Sequence, residues 1–232
     1  MNTILISGAN RGIGFEMTQQ LLTAGHRVFA SCRRPGAADA LQRLNGEFGD
    51  MLHVVQMDVA ADDSVAQAFT TVANHTTHLD WLINNAGINL RQKYEQFNSQ
   101  DMLNTFNINA VGAMRVATTF VPLLQKGTAP KLANISSQLG SLSKARKGWG
   151  TYGYNSSKSA MNMISRHLAF DLDEAGVTVV AIHPGWVQTD MGGQNAAVTV
   201  PDSAAGIINV LSGLTHESTG QFFTYQNDAH PW

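Results

Sequence analysis

An α/β fold with a doubly wound parallel sheet is the architecture that this sequence predicts, and two features of the chain support it. Short apolar runs alternate with longer amphipathic stretches along all 232 residues. The runs are too apolar for strands with one solvated face, which is typical of a parallel sheet covered by helices on both faces. Six strand–helix units and a final strand predict one domain, residues 1–232, with seven strands in the order 3-2-1-4-5-6-7.

The predicted elements follow from the period of the apolar residues. The runs expected to form strands are 3–7, 27–32, 52–57, 81–84, 131–136, 178–183 and 221–225. The stretches with helical periodicity are 12–24, 37–44, 62–74, 99–125, 152–174 and 201–214. Residues 140–151 are the most loop-like part, with Lys144, Arg146 and Lys147 among glycines and serines.

Composition indicates a compact globular chain and excludes several function classes. Apolar residues make up 44% of the chain and charged residues 14%, unlike a disordered sequence. The net charge of −2 gives no reason to expect nucleic-acid binding. No apolar run approaches the length of a membrane span, and the first residues enter a strand pattern without the basic region of a signal peptide.

The cysteine and histidine content excludes further kinds of site. Cys32 is the only cysteine, which excludes an intramolecular disulfide framework and a multi-cysteine metal site. The eight histidines have no metal-ligand spacing, so no metal is expected. A cytoplasmic enzyme acting on a small molecule is the default expectation, with no nucleic acid or membrane as partner.

A glycine-rich turn joins the first strand to the first helix. In Ser-Gly-Ala-Asn-Arg-Gly-Ile-Gly, residues 7–14, Gly8 allows a tight turn, Gly12 lets backbone approach a pyrophosphate and Gly14 permits close helix packing. The helix N-terminus supplies unpaired N–H groups to phosphates. An ordinary strand-to-helix turn is the alternative, but the place in the first unit favours a Rossmann nucleotide site. The predicted contacts are Gly8, Asn10, Arg11, Gly12, Ile13 and Gly14.

The end of the second strand favours one cofactor. An NAD site usually places a carboxylate there for the adenosine ribose, whereas this chain has Cys32 followed by Arg33 and Arg34. Guanidinium groups bind a 2′-phosphate that a carboxylate would repel, and Arg11 adds positive charge from the glycine turn. We therefore predict NADPH/NADP⁺, the alternative being that these arginines are solvated surface residues.

Three further strand ends carry predicted contacts to the same cofactor. Each is weak alone, because turns are commonly rich in Asn, Gly and Pro. Together they lie at the carboxyl edge of the sheet, where open α/β folds bind ligands. The residues are Asp58 and Val59 after the third strand, Asn85, Ala86 and Gly87 after the fourth, and Pro184, Gly185, Val187 and Thr189 after the sixth.

Tyr154 and Lys158 are four residues apart in a predicted helix, so both point into the same space. A phenol with its ordinary pKa near ~10 is a poor acid or base at neutral pH. A nearby cation favours the phenolate and is expected to lower that pKa. The pair predicts an acid/base device, although the same spacing also occurs on plain helix surfaces.

The ordered motifs make the chain resemble the short-chain dehydrogenases/reductases, a family of single-domain Rossmann oxidoreductases. Within that family it is similar to the small carbonyl reductases of the sniffer and C-factor type. The motifs are the glycine turn, Asn84-Asn85-Ala86-Gly87, Asn109 in Phe106-Asn107-Ile108-Asn109, Asn134-Ile135-Ser136-Ser137, the Tyr154/Lys158 pair, and residues 183–193 with Pro184-Gly185. The closing Pro231-Trp232 supports the narrower similarity.

The resemblance implies a catalytic tetrad and a function. Tyr154 would protonate the carbonyl oxygen, Lys158 would bind the nicotinamide ribose, and Ser137 would donate to the substrate oxygen. Asn109 would sit at a distortion in a long helix and hold a water linked to Lys158. The implied activity is NADPH-dependent reduction of an aldehyde or ketone. A signalling protein of C-factor type and an NAD-dependent alcohol dehydrogenase are the alternatives.

The family also implies a homodimer, with a tetramer as the alternative, that pairs helices 99–125 and 152–174 across a two-fold axis. Ser136 and Ser137 are adjacent, and only one can face the site from an alternating strand; the motif favours Ser137. The loop 144–150 is longer than usual, and Trp149, Trp186, Leu139 and Leu142 are candidates for the apolar part of the pocket. Residues 192–197 are expected to form a short flexible lid.

Overall fold

A single parallel sheet organises the chain. The computed structural model describes residues 1–92, 94–145, 147 and 151–232. Its seven strands pair in the order β3-β2-β1-β4-β5-β6-β7, and every pair is parallel. The predicted topology is therefore confirmed. The strands are β1 (Thr3–Ser7), β2 (Arg27–Cys32), β3 (Leu52–Gln56), β4 (Trp81–Asn84), β5 (Lys131–Ile135), β6 (Thr178–His183) and β7 (Phe222–Thr224).

Helices connect the strands and cover the sheet. They are α1 (Gly12–Thr23), α2 (Asp39–Phe48), α3 (Asp62–Ala73), α4 (Ser99–Phe106), α5 (Gly112–Leu124), α6 (Tyr152–Asp171) and α7 (Val200–Gly213). None of the helices within the described ranges is long and apolar enough to cross a membrane.

Alternate side chains of each strand enter two separate apolar layers. On β1, Ile4 and Ile6 join the cluster beneath α1, α2 and α7, while Leu5 joins the cluster beneath α3, α5 and α6. On β2, Phe29 faces the second layer and its neighbours face the first. This burial on both faces explains why the strands are continuously apolar.

Two predicted helices differ most from the structure, and the others agree to within three residues at each end. The second begins at Asp39 rather than residue 37, because Pro35–Ala37 forms a 3₁₀ turn and Ala38 has a non-helical ψ of 61°. It continues to Phe48, which packs against the core, and ends where Gly49 adopts a φ of +52°. The predicted helix 99–125 is interrupted by a π-helical turn, Asn107–Val111, between α4 and α5.

The topology places the site. Strand β1 pairs with β2 on one side and with β4 on the other, so successive units leave β1 in opposite directions. Ligands of open α/β sheets bind at such a switch point, beyond the carboxyl ends of the strands. The turn after β1 and the loop after β4 meet there.

Candidate active site

A cleft of about 1010 Å³ opens at this edge of the sheet. It is lined by most of the predicted site residues, drawn from five strand ends and from α6. These are Gly8, Asn10, Arg11, Gly12, Ile13, Arg33, Asp58, Val59, Asn85, Ala86, Gly87, Tyr154, Lys158, Pro184 and Thr189. Gly14, Asn109, Ser137, Gly185 and Val187 are not part of the lining. These five residues lie behind or beside the lining and contact the segments that carry it.

The glycine turn packs directly on the loop after β4. Gly8 has a φ of +66°, and a Cβ there would lie 2.8 Å from the Ala86 Cα. A Cβ on Gly14 would lie 2.4 Å from both the Asn85 Nδ2 and the Gly8 carbonyl oxygen. Asn85 also donates from Nδ2 to the Ser7 and Gly8 carbonyl oxygens at 3.0 Å. Gly14 thus serves packing, and only glycine fits at these two positions.

The first turn of α1 faces the cleft with its N–H groups. The N-cap residue Arg11 has extended backbone and makes no side-chain cap. The initial N–H groups of a helix have no partner within the helix. Gly12 and Ile13 of this turn line the cleft. The arrangement suits an anion.

Arg11 lines the cleft and is paired there with an acid. Its Nη1 donates to the Asp190 Oδ2 at 2.6 Å, so the guanidinium spans the cleft to the loop after β6. This pair is exposed on both sides and contributes little to stability. Arg33 and Arg34 are exposed at the end of β2 and line the cleft beside Cys32. Positive charge is therefore concentrated where an NAD site would carry an acid.

Asp58 and Val59 form the wall after β3. The Asp58 Oδ1 accepts from the Ala60 N–H at 3.0 Å, and the Asp58 N–H donates to the Ser64 Oγ at 2.9 Å. Val59 is buried beneath the cleft. These bonds hold the turn so that Asp58 and Val59 line the space.

Lys158 lies at the opposite end of the cleft, on α6, and is only 4% exposed. Its Nζ donates to the Ile135 carbonyl oxygen at 2.7 Å and lies 5.8 Å from the centroid of the Tyr154 ring. An ammonium has three N–H donors, and a second one is directed to the Met161 Sδ at 3.8 Å, which leaves one for the cleft that Lys158 lines. Burial lowers the pKa of Lys158 to about 8.

Ser137, not Ser136, contacts the tyrosine. The Ser137 hydroxyl is hydrogen-bonded to the Tyr154 phenol, and its Oγ accepts from the Leu139 N–H at 3.1 Å. The Ser136 Oγ donates instead to the Asn162 Oδ1 of α6 at 2.5 Å. Both serines follow the end of β5, and Ser136 also lines the cleft, but Ser137 is the one that interacts with Tyr154.

The pKa of Tyr154 is shifted upward, opposite to the direction predicted from its spacing to Lys158. Desolvation by the surrounding protein raises the pKa of Tyr154, and the hydrogen bond with Ser137 only partly opposes it. Tyr154 consequently keeps its proton at neutral pH.

Asn109 is fully buried in the π turn. Its Oδ1 accepts from the Ile88 N–H at 2.8 Å, and its Nδ2 donates to the Ile88 carbonyl at 2.9 Å and to the Ser157 Oγ at 3.0 Å. A Cβ on Gly87 would lie 3.3 Å from the Asn109 Oδ1 and 3.7 Å from the Lys158 Nζ. Asn109 therefore fixes the backbone after β4 next to Lys158.

The loop after β6 is pinned by its own hydrogen bonds. Val187 is buried and bridges to Val198, and the Gly193 N–H donates to the Thr189 carbonyl at 2.8 Å. Gly185 has a φ of +88° and packs against Val198, where a Cβ would lie 2.9 Å from Cγ2. Gly185 and Val187 thus shape this loop from behind.

The structure describes only some of the residues that were predicted to line the apolar part of the pocket. Leu142 is 79% exposed, and the Trp186 Nε1 donates to the Gly192 carbonyl rather than pointing into the cleft. Arg146 and Trp149 lie outside the described residues. Lys144 and Lys147 are exposed, as expected of a solvated loop.

Some lining residues were missed by the sequence-based prediction. Gln188, Asp190 and Met191 line the cleft beside Thr189, and Ile88 lines it beyond Gly87. The motif at residues 183–193 contained the first three, so their position along the chain was a usable signal. The Ile135 carbonyl, which accepts from Lys158, has no side-chain signal at all.

Comparison with known proteins gives a consistent result. The family model for short chain dehydrogenase matches residues 2–199. The C-signal protein of Myxococcus xanthus is 43% identical over 158 residues, 68% of this chain and 95% of that protein. NADPH-bound carbonyl reductase from chicken fatty liver has 33% identity and a TM-score of 0.95, over 100% of this chain and 99% of that chain.

The carbonyl reductase Sniffer of D. melanogaster has 32% identity and a TM-score of 0.94, with 100% of both chains covered. The predicted similarity to sniffer-type and C-factor-type proteins is thereby confirmed. A sheet of this order, a glycine turn at its switch point and these matches lead to one assignment. The chain belongs to the short-chain dehydrogenase family of oxidoreductases.

Proposed function

We propose that the chain is an NADPH-dependent reductase of aldehydes or ketones, with Tyr154 as the general acid. The observation that carries this proposal is the convergence of three side chains at one end of the cleft. The Tyr154 phenol is bonded to the Ser137 hydroxyl, and the Lys158 Nζ lies 5.8 Å from the Tyr154 ring. A proton donor, a second hydroxyl and a cation side by side suit a carbonyl oxygen that becomes an alkoxide.

The residues of the cleft fit a dinucleotide with a 2′-phosphate. Gly8 and Gly14 leave no room for a Cβ, so the turn and the loop after β4 form a close backbone cradle. The uncapped first turn of α1 would hold the pyrophosphate. Arg33 would hold the 2′-phosphate, and Arg11 would join it by leaving Asp190.

The other lining residues would contact the adenine, the ribose and the nicotinamide of the cofactor. Asp58 and Val59 would border the adenine, residues 85–87 the adenosine ribose side, and Pro184 and Thr189 the nicotinamide side. Bound NADPH would supply the hydride for the carbonyl carbon. Its presence in the carbonyl reductase from chicken fatty liver supports this choice of cofactor.

The protein side of the reaction is proton delivery to the carbonyl oxygen. Desolvation raises the pKa of Tyr154, so the phenol holds its proton at neutral pH and would release it to the strongly basic alkoxide oxygen that forms as the carbonyl is reduced. The Ser137 Oγ accepts from the Leu139 N–H, and its hydroxyl proton, directed to the Tyr154 oxygen, would turn to the substrate oxygen when a carbonyl lies beside both groups. Lys158 would bind the nicotinamide ribose with its remaining N–H donor. Asn109 would keep the backbone at Ile88 in place beside Lys158.

Oxidation of NADPH with a panel of small activated aldehydes and ketones tests the proposal. The wild-type protein should consume NADPH with at least one of them. Tyr154→Phe should lower the rate by about 10²–10⁴-fold while binding NADPH as tightly as the wild type. Absence of turnover across a broad panel, by a protein that binds NADPH, would count against the proposal.

Titration of NADPH and NADH, followed by fluorescence, decides between reductase and NAD-dependent alcohol dehydrogenase. We expect NADPH to bind more tightly, and Arg33→Ala to weaken NADPH without changing NADH. A preference for NADH would overturn the assignment of Arg11 and Arg33 to a 2′-phosphate.

A signalling role is the second candidate, because the similarity to the Myxococcus xanthus C-signal protein covers 68% of the chain. A purely signalling protein needs no proton donor beside the cofactor site. If an effect of the protein on cells survives Tyr154→Phe and Ser137→Ala, signalling is independent of catalysis. If the effect is lost in both variants, the chemistry is what matters.

We further propose a homodimer, with a tetramer as the alternative, through the outer faces of α4 to α6. Large apolar side chains are exposed there: Leu103, Val111 and Met114 before and within α5, and Met163 and Phe170 on α6. Light scattering should give twice the chain mass of 25.0 kDa. Val111→Asp with Met163→Asp should give the mass of one chain.

A further inference from the structure

Arg115 joins the segment after β3 to the π turn between α4 and α5. It lies on α5, and its side chain is only 14% exposed. The guanidinium is bonded to three separate partners. Nη1 donates to the Val59 carbonyl oxygen at 2.5 Å, Nη2 donates to the Asn107 Oδ1 at 3.3 Å, and Nε donates to the Asp62 Oδ1.

Two of these partners belong to the segment 58–62, which carries the wall proposed for the adenine. Val59 lines the cleft, and Asp62 begins α3. The third partner, Asn107, begins the π turn that contains Asn109. Asn107 also donates from Nδ2 to the Ala60 carbonyl oxygen at 3.2 Å. Side chains outside the predicted tetrad, those of Arg115 and Asn107, therefore connect the adenine wall to the π turn.

Backbone packing makes this junction tight. A Cβ on Gly112 would lie 3.0 Å from the Val59 carbonyl oxygen and 3.1 Å from the Asn107 carbonyl oxygen. The same Val59 carbonyl accepts from Arg115. A shift of segment 58–62 must therefore move the π turn or break the bonds of Arg115.

We propose that Arg115 is a positioning residue that couples the adenine wall to the π turn, so that cofactor binding and catalysis depend on it together. The part of this inference that concerns catalysis rests on the proposed function. Arg115 makes no contact with the predicted tetrad; it acts on Asn109 through the turn and on the cofactor through Val59. A π turn departs from regular helix geometry, and external bonds such as those of Asn107 hold it.

The plain alternative is an ordinary surface ion pair between Arg115 and Asp62. Asp62 has an 85% exposed side chain, so that pair by itself contributes little. The bonds to the Val59 carbonyl and to Asn107 distinguish the two views. Asp62→Asn removes the charge pair and leaves those bonds in place, which makes it the matched control.

The test compares Arg115→Met, Arg115→Lys and Asp62→Asn with the wild type. Two quantities are measured: the Kd of adenosine 2′,5′-bisphosphate, which occupies only the adenosine half, and the kcat of NADPH-dependent carbonyl reduction. We expect Arg115→Met to raise the Kd and to lower kcat, each by at least about tenfold. A displacement of about 1 Å in the groups that hold the cofactor or substrate can reduce the rate by that factor. Arg115→Lys should recover part of both losses, and Asp62→Asn should resemble the wild type.

A double-mutant cycle identifies the route. If Arg115 acts through the π turn, its effect on kcat should be much smaller in an Asn109→Ala background than in the wild type. Should Arg115→Met fail to fold, Asn107→Ala replaces it, because that change removes the Arg115 acceptor and the bond to Ala60 but keeps the Val59 bond.

Unchanged Kd and kcat in a folded Arg115→Met or Asn107→Ala variant would overturn the proposal, even if the melting temperature fell. So would an Asp62→Asn variant as impaired as Arg115→Met. If the wild type reduces no carbonyl, the proposed function fails, but the Kd of the bisphosphate still decides whether Arg115 positions the adenine wall.

Discussion

Ser136 and Ser137 are neighbours with different surroundings. Ser137 is bonded to the Tyr154 phenol, while Ser136 is bonded to Asn162 in the buried layer under α6. We predict that Ser137→Ala lowers kcat by about 10²-fold, because it removes a donor to the developing oxyanion. Ser136→Ala should instead lower the free energy of unfolding by about 1–3 kcal/mol, because the Asn162 oxygen stays buried without that partner.

Steady-state kinetics and urea unfolding of both variants check this prediction. Each serine is the control for the other, since the substitution is the same and the positions are adjacent. A Ser136→Ala variant with the larger loss of kcat would contradict the assignment of Ser137 to the substrate side.

Lys158 is a buried cation, and its ionisation makes stability depend on pH. Burial lowers its pKa from 10.5 to about 8, so the folded protein binds the proton less tightly than the unfolded chain does. The cost of keeping the ammonium buried is complete below pH 8 and is relieved as pH rises towards 10.5. Stability of the wild type should therefore rise with pH across that window, by about 3 kcal/mol at most from this group.

Lys158→Met lacks this contribution. Its free energy of unfolding relative to the wild type should be most favourable near pH 7 and should decline between pH 8 and pH 10.5. Exposed Lys126→Met is the control and should show no such decline. A Lys158→Met difference that is constant from pH 7 to pH 10 would mean that the ammonium is well solvated in the folded protein.

At the scale of elements, the junction of α1 with the loop after β4 depends on Gly14. A Cβ there would lie 2.4 Å from the Gly8 carbonyl oxygen, which is backbone and cannot rotate away. We predict that Gly14→Ala destabilises the fold by roughly 1–3 kcal/mol through overpacking and weakens NADPH at least tenfold. Thermal unfolding and NADPH titration measure the two effects.

Gly36→Ala is the matched control, because a Cβ at Gly36 has no heavy atom within 4 Å. It should leave both quantities near the wild-type values. Equal effects of the two substitutions would show that the α1 junction tolerates a side chain, contrary to this description.

The π turn, Asn107–Val111, marks a limit of prediction from periodicity. The apolar residues of 99–125 have a continuous helical pattern, which predicts one helix, and only the resemblance to the family placed a distortion at Asn109. The structure holds the turn with contacts from distant segments, such as Ile88 to Asn109 and Ala60 to Asn107. Such contacts are invisible in a local pattern.

At the scale of the whole molecule, sheet order and site position could be predicted because both faces of the sheet are buried and all strands run parallel. The carboxyl ends of the strands then share one edge, so Gly8, Asp58, Asn85 and Pro184 meet in one cleft. Side-chain directions could not be predicted in this way. Arg11 pairs with Asp190, 179 positions further along the chain, and no local signal announces that contact.

The pKa shifts of Tyr154 and Lys158 could not be predicted from their spacing either. The interval between Tyr154 and Lys158 predicts proximity, which the 5.8 Å separation of Nζ from the ring agrees with. It does not report desolvation, which raises the pKa of Tyr154 and lowers that of Lys158. The pair is therefore better described as a neutral phenol beside a buried cation than as a phenolate stabilised by a lysine.

We propose that Tyr154 delivers a proton to a carbonyl oxygen while NADPH supplies the hydride. The most direct measurement follows deuterium into the alcohol product from NADPH that carries deuterium at both C4 positions, for the wild type and for Tyr154→Phe. We predict an alcohol with deuterium on the carbinol carbon from the wild type, and formation of the same alcohol about 10²–10⁴-fold slower with Tyr154→Phe at unchanged NADPH affinity. Alcohol without the label, or equal rates from the two proteins, would contradict the account.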